Sequence, residues 1–145
     1  MSDTDALYNA IILDHDRSPR NMGPLRGATH SATADNPMCG DTVTMHAIVE
    51  DGRVRDVTFE ARGCALCRAA ASLLTERIMN APLDEVDAVI DTFEGFLTGS
   101  DADRRTVELG DLRTFEAAKR VRARRTCMLL PFRAIAKALG VRSGL

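Results

Sequence analysis

The sequence has 145 residues, of which 45% are hydrophobic and 28% are charged, proportions typical of a globular domain long enough to bury one core. The formal net charge of −2 argues against general nucleic-acid binding. The N-terminal stretch MSDTDALYNAII is acidic where a secretory signal would be basic, and no stretch approaches the length of a membrane span. We therefore expect a single domain over residues 1–145, located in the cytoplasm.

The first half of the chain predicts one helix and three strands. Apolar spacing favours a helix from about Asp3 to Asp16, which ends before Ser18-Pro19. An edge strand is expected near residues 28–34. A β-hairpin follows, because apolar and polar residues alternate over 43–49 and again over 57–61, on either side of an Asp51-Gly52 turn. The second strand of this hairpin is expected to end at Arg62-Gly63.

The second half of the chain predicts helices. Helical periodicity starts at Cys64 and stops at Ala81-Pro82. Further helices are expected over Asp84–Leu97, briefly over Leu109–Leu112, and from about Arg124 to Leu139. Strands followed by helices indicate an α+β fold, with a small antiparallel sheet of about three strands packed against helices.

The chain has four cysteines: Cys39, Cys64, Cys67 and Cys127. Cytoplasmic thiols stay reduced, so grouped cysteines favour a metal site or a catalytic thiol over disulfides. Cys39 lies in the loop before the hairpin, Cys64 follows the hairpin, and Cys127 falls in the first turn of the last predicted helix. Loop tips and helix starts can meet at one end of a sheet, and helix N-termini favour thiolate over thiol.

Three thiolates and one carboxylate, from Cys39, Asp41, Cys64 and Cys127, would supply the four ligands of a tetrahedral zinc ion. Asp41 would be the weak ligand of that set, because an oxygen ligand exchanges more readily than a thiolate and the site could then open to an incoming group. Gly40 would let the backbone fold so that the side chains on both sides of it point to one ion. The alternative is that the four thiols are unrelated and only fill space in the core.

Cys67 forms a CxxC motif with Cys64, and at helical spacing the two thiols would share a face. Three roles stay open for Cys67: an extra or alternate metal ligand, a redox partner of Cys64, and a small buried hydrophobic residue. A thioredoxin-like site is disfavoured, because no βαβ pattern accompanies the motif.

Several basic residues lie shortly before Cys127 in the sequence. Three interpretations stay open: a solvated helix face, a cluster that favours the thiolate of Cys127, and a docking site for an acidic partner. The residues are Lys119, Arg120, Arg122, Arg124 and Arg125.

The sequence resembles the U-type iron–sulfur cluster assembly proteins, the family of IscU, SufU and the N-terminal part of NifU. The resemblance runs almost from end to end and includes Asp14-His15 and Ser18-Pro19-Arg20-Asn21. It is strongest in Asn36-Pro37-Met38-Cys39-Gly40-Asp41, with Gly63-Cys64-Ala65 at the exit of the hairpin. The expected fold is accordingly IscU/SufU-like.

Within this family the chain is more similar to the SufU branch. In IscU-type proteins the last cysteine lies closer to the second cysteine and follows a histidine. Here Cys127 comes 63 positions after Cys64 and follows Thr126.

The resemblance implies that Cys39, Asp41, Cys64 and Cys127 bind zinc and that a partner displaces one of these ligands. It also implies that Cys39 accepts sulfur as a persulfide from a PLP-dependent, SufS-like cysteine desulfurase, and that downstream iron–sulfur assembly components follow. Arg124 would lie beside the site as a helper for thiolate or partner contact. Such a protein is a sulfur acceptor rather than a conventional turnover enzyme.

Two alternatives stay open beside the sulfur acceptor. One is a scaffold that assembles a [2Fe–2S] cluster, or holds iron, on the same ligands, because thiolates suit both metals. The other is an interaction protein whose zinc is only structural.

Overall fold

The computed structural model describes residues 9–38, 40–99 and 107–140. Within these ranges the elements in chain order are helix α1 (Ala10–Arg17), strands β1 (His30–Asn36), β2 (Asp41–Glu50) and β3 (Arg53–Arg62), helices α2 (Ala65–Ile78) and α3 (Leu83–Thr98), the 3-10 helices Gly110–Glu116 and Ala118–Arg120, and helix α4 (Arg122–Leu139). This arrangement confirms the predicted α+β class. Across the described ranges, every helix is too short or too polar to cross a lipid bilayer.

The first helix differs from its prediction. Asn9 is not helical, and its side-chain oxygen accepts the backbone N–H groups of Ile11 and Ile12, each at 3.1 Å. This is the geometry of an N-cap, so α1 begins at Ala10, and the prediction of one uninterrupted helix through Asn9 is wrong. Residues 3–8 of the predicted helix lie outside the described residues. Strand β1 covers residues 30–36 rather than 28–34.

The strands form an antiparallel sheet in the order β1-β2-β3. The predicted Asp51-Gly52 turn joins β2 to β3, with φ angles of 53° and 73°, the left-handed pair that a type I′ hairpin needs. Asn36 pairs with Asp41 where β1 meets β2, and Thr42 pairs with Arg62. The start of β2 and the end of β3 therefore lie side by side at one end of the sheet.

One face of the sheet belongs to the hydrophobic core. Val43, Met45, Val57 and Phe59 are fully buried on it, as the predicted alternation requires. Helix α2 packs on β3, and helix α4 packs on β1 and β2. The two helices that carry cysteines are thus held against the same sheet.

Phenylalanine contacts join α3 to α4. The ring of Phe93 stacks on that of Phe132, with centroids 4.3 Å apart and an interplanar angle of 13°, and it meets Phe115 edge to face at 6.0 Å. Lys119 Nζ lies 4.6 Å from the centroid of the Phe96 ring. These contacts hold the segment that precedes α4 and, with it, the helix that carries Cys127.

A buried polar network binds α1 and the segment after it to α2. Ser72 Oγ lies 2.7 Å from His15 Nδ1 and accepts the backbone N–H of Arg20 at 2.9 Å. His15 Nε2 lies 3.6 Å from Glu76 Oε1. The arrangement suits a neutral imidazole that accepts the Ser72 hydroxyl hydrogen at Nδ1 and keeps its own hydrogen on Nε2.

The stability of the fold should depend on the ionisation of His15. Burial, together with the nearby Arg20 guanidinium, lowers the pKa of His15 below its ordinary value of 6.5. The unfolded chain therefore binds a proton more readily than the folded protein, and the free energy of unfolding falls as the pH drops below about 6.5. Urea unfolding at a series of pH values should show a shallower fall for His15→Asn than for the wild-type protein. An identical pH dependence in the two proteins would contradict a neutral, buried His15.

Candidate metal centre

Asp41 is the first residue of β2, and its side chain is buried. Asn36 shapes the turn before it: the side-chain oxygen of Asn36 accepts the N–H of Met38 at 3.2 Å, and its carbonyl accepts the N–H of Gly40 at 2.8 Å. Gly40 has a φ of 76°, a conformation that glycine adopts at little cost. These contacts place the Asp41 carboxylate at the end of the sheet.

Cys64 is the N-cap residue of α2 and is half-buried. Its Sγ lies 3.6 Å from Asp41 Oδ2. The N–H groups of the first helical turn carry partial positive charge, which suits an anionic group such as the Asp41 carboxylate beside this helix N-terminus. The structure thus confirms the predicted location of Cys64 between the hairpin and a helix.

Gly63 is what allows Asp41 and Cys64 to come this close. Its φ of 148° is rare for a residue with a side chain, and a Cβ at this position would overlap Asp41 Oδ1 and lie 3.0 Å from Asp41 Cβ. The Asp41 side chain is short and buried, so a side chain at position 63 would force it to move.

Cys127 comes from α4 and is 2% exposed. Helix α4 starts at Arg122, directly after the extended residue Val121, which places Cys127 in the second turn. The prediction that Cys127 lies in the first turn is therefore wrong. Because the field of a helix terminus fades within one turn, the N-terminus of α2 acts on the position of Cys64, whereas the N-terminus of α4 has little effect at Cys127.

Asp41, Cys64 and Cys127 converge on one point, since one ligand atom from each lies within 4.8 Å of the others. A tetrahedral zinc ion with a metal–sulfur distance of about 2.3 Å and a metal–oxygen distance of about 2.1 Å would separate neighbouring sulfur and oxygen ligands by about 3.6 Å. The Cys64 thiol donates a hydrogen bond to Asp41 Oδ2 at 3.6 Å, so these two atoms already lie at this separation through their hydrogen bond. Two thiols and a carboxylate in this arrangement fit zinc, and the same donors suit iron. A merely space-filling role for the thiols does not explain a carboxylate buried beside them.

The remaining candidates are placed differently. Cys39 lies outside the described residues. Cys67 is fully buried in α2 and does not belong to the group formed by Asp41, Cys64 and Cys127. Arg124 is partly buried on α4, three positions before Cys127. The roles of Cys39, Cys67 and Arg124 stay predictions.

Sequence reasoning missed two residues that shape this site. The sequence predicts that Gly63 ends a strand and includes it in the motif that carries the family resemblance, but its contact with Asp41 is not among the predictions. A glycine directly before a candidate ligand is a signal for a positive φ or a close backbone contact. Arg68 donates hydrogen bonds to Asp16 and to the Gly63 carbonyl. No local sequence pattern predicts this contact, because Asp16 and Arg68 are 52 positions apart.

Known proteins have similar sequences and a similar fold. The family model for the NifU-like N-terminal domain matches residues 7–128. The zinc-dependent sulfurtransferase SufU of Bacillus subtilis is 29% identical over 140 residues, which cover 97% of this chain and 94% of the relative. The iron–sulfur cluster assembly scaffold protein IscU of Thermotoga maritima is 33% identical over 133 residues, or 92% of each chain. The crystal structure of the N-terminal part of a nitrogen-fixing NifU-like protein from Brucella abortus has a TM-score of 0.86 at 30% identity, over 96% of each chain.

Gly63→Ala should displace the Asp41 carboxylate. The strained φ and the overlap with Asp41 together should lower the free energy of unfolding by at least about 2 kcal/mol. Gly23→Ala is the matched control, because Gly23 has a similar φ of 139° but a Cβ there meets nothing within 4 Å; the backbone strain alone should cost about 1 to 2 kcal/mol. Urea unfolding measures both costs, and zinc content should fall only in Gly63→Ala. Equal losses of stability with equal zinc contents would contradict the close contact between Gly63 and Asp41.

Proposed function

Because the chain belongs to the family of NifU-like N-terminal domains, we propose that it serves iron–sulfur cluster assembly as a zinc-containing acceptor of sulfur from a cysteine desulfurase. The observation that carries the proposal is the convergence of Asp41, Cys64 and Cys127 at one end of the sheet. Closed structural zinc sites usually have only cysteine and histidine ligands, whereas a carboxylate ligand exchanges more readily. The similarity to a relative named as a zinc-dependent sulfurtransferase supports the same function.

The proposed zinc ligands are Cys39, Asp41, Cys64 and Cys127. Cys39 stands two positions before Asp41 in the sequence and supplies the third thiol. When bound, zinc would keep these thiols deprotonated near neutral pH. The Asp41 carboxylate, a weaker ligand than the thiolates, gives the site an exchangeable position.

Cys39 is the proposed acceptor of sulfur. Its thiolate attacks the outer sulfur atom of a persulfide on the desulfurase, so that an S–S bond forms to Cys39 and the S–S bond of the donor breaks. The donor cysteine leaves as a thiolate, and no external oxidant or reductant is needed. Arg124, on the same helix as Cys127, is proposed to contact the thiolate or the incoming partner.

The proposed donor is a PLP-dependent, SufS-like cysteine desulfurase, and the sulfur passes on to downstream iron–sulfur assembly components in the cytoplasm. Met38, directly before Cys39, is 92% exposed. A methionine side chain at this position offers the donor an adaptable apolar contact.

The second candidate function is a scaffold that builds a [2Fe–2S] cluster on the same residues. It is favoured by the similarity to the IscU scaffold protein of Thermotoga maritima and by the suitability of thiolates for iron. Protein purified without oxygen separates the two functions: a colourless, zinc-loaded sample supports the acceptor, and a brown sample with visible charge-transfer bands supports the scaffold.

Cys39→Ala is expected to abolish sulfur acceptance. After incubation with the desulfurase and free cysteine, persulfide on the protein, detected by alkylation and mass spectrometry, should fall to background. Cys67→Ala is the control, because it removes a buried thiol outside the group of Asp41, Cys64 and Cys127 and should leave transfer unchanged. If Cys39→Ala still accepts sulfur and stimulates the desulfurase like the wild-type protein, the acceptor assignment fails.

Asp41→Ala and Cys64→Ala should change the metal site in different ways. Without the Asp41 carboxylate the thiolates still hold part of the zinc, so we expect a folded protein with altered transfer kinetics.

Without Cys64 both the zinc content and the urea midpoint should drop, because metal binding and folding are coupled. Full zinc occupancy in Cys64→Ala, or wild-type transfer kinetics in Asp41→Ala, would argue against the proposed ligand set.

A further inference from the structure

Arg68 connects three parts of the chain beside the candidate metal centre. It lies in the first turn of α2, and its backbone N–H donates to the Cys64 carbonyl at 3.2 Å. Its Nε donates to Asp16 Oδ1 on α1 at 2.8 Å, and Nη2 lies 2.8 Å from the same oxygen. Its Nη1 donates to the Gly63 carbonyl at 2.7 Å. One planar guanidinium thus joins α1, α2 and the loop between β3 and α2.

We propose that Arg68 is a positioning residue of the metal centre, which acts by holding the Gly63 peptide between Asp16 and α2. The inference rests on the proposed zinc-binding function and deepens it. Arg68 does not belong to the ligand group formed by Asp41, Cys64 and Cys127, so it acts by positioning the backbone of that group and not as a ligand.

The Gly63 carbonyl matters because it belongs to the peptide unit that continues into the backbone nitrogen of Cys64. A hydrogen bond to this carbonyl fixes the plane of that peptide and with it the direction in which the Cys64 side chain leaves the chain. The same glycine lies against the Asp41 carboxylate. Holding one peptide therefore restrains two of the candidate ligands.

A glycine at this position needs such a restraint. Without a Cβ, Gly63 has more accessible backbone conformations than any other residue, and a loosely held loop would lose entropy whenever a metal ordered it. The Arg68 side chain is 30% exposed and its Asp16 partner 21% exposed, so the pair is partly shielded from solvent. A ready-ordered loop binds the ion without that entropic cost.

The geometry requires arginine. The guanidinium uses one part of its donor fork on the Asp16 carboxylate and another on the carbonyl, whereas a lysine ammonium is a compact charge that cannot hold the same two directions rigidly. Arg68→Lys should therefore keep part of the function of Arg68, and Arg68→Met should keep none.

Helix α2 also provides a matched control. Arg77 donates from Nε to the Glu108 carbonyl at 2.8 Å and from Nη1 to Glu85 Oε2 at 2.9 Å. It therefore resembles Arg68 in binding one carboxylate and one backbone carbonyl, but its partners lie on α3 and in the segment before the first 3-10 helix. Arg77→Met removes a similar set of bonds without touching the Gly63 loop.

The experiment measures the affinity of the full chain for Zn²⁺ by chelator competition, and the visible spectrum of the Co²⁺-substituted protein. Arg68→Met should bind Zn²⁺ about 10- to 100-fold more weakly, the range found when groups that orient metal ligands are lost, and should show shifted Co²⁺ d–d bands. Arg68→Lys should fall between Arg68→Met and the wild-type protein. Arg77→Met should match the wild-type protein in affinity and spectrum even if its unfolding midpoint drops.

Hydrogen exchange of the metal-free protein tests the same inference without an ion. Amides of residues 62–65 should exchange faster in Arg68→Met than in Arg77→Met. Equal exchange, together with wild-type Zn²⁺ affinity and Co²⁺ spectrum in Arg68→Met, would overturn the role of Arg68. A wild-type protein that binds neither Zn²⁺ nor Co²⁺ would instead overturn the proposed function.

Discussion

The contact between the Asp41 carboxylate and the backbone of Gly63 is the constraint on which the rest of the site depends. The register of β2 and β3 pairs Thr42 with Arg62, so the residues directly before and after this pair must lie close together. One of them can carry a buried carboxylate only if the other has no side chain. Gly63 is followed directly by Cys64 and α2, and this connection brings the Cys64 thiol close to the Asp41 carboxylate.

The second thiol, that of Cys127, is positioned by tertiary packing of α4 and not by a local turn. Cys127 lies on a helix whose apolar side covers the sheet and whose Phe132 stacks on Phe93 of α3. Packing of α4 in the core thus determines the position of Cys127. A rigid core beneath the Asp41 carboxylate would suit the proposed function, in which the site holds an ion and still admits a partner.

Local signals in the sequence were sufficient for much of the fold. The Asp51-Gly52 turn and the alternation around it predicted the hairpin, and the change of period at Cys64 predicted the strand-to-helix junction. The convergence of Cys127 with Asp41 and Cys64 does not follow from periodicity, because it depends on tertiary packing across 63 positions between Cys64 and Cys127. The positions of these residues at a loop and at helix starts indicate it, and the family resemblance implies it. The Asn9 cap was missed because apolar spacing continues through it, and the Arg68 contact with Asp16 has no sequence signature.

Zinc K-edge X-ray absorption of protein purified without oxygen tests the central claim most directly, because it counts the atoms around the metal. The proposed ligands Cys39, Asp41, Cys64 and Cys127 predict three sulfur neighbours at about 2.3 Å and one oxygen neighbour at about 2.0–2.2 Å. A shell of four sulfur atoms, which would require Cys67 in place of Asp41, or a protein that retains no zinc, would contradict it.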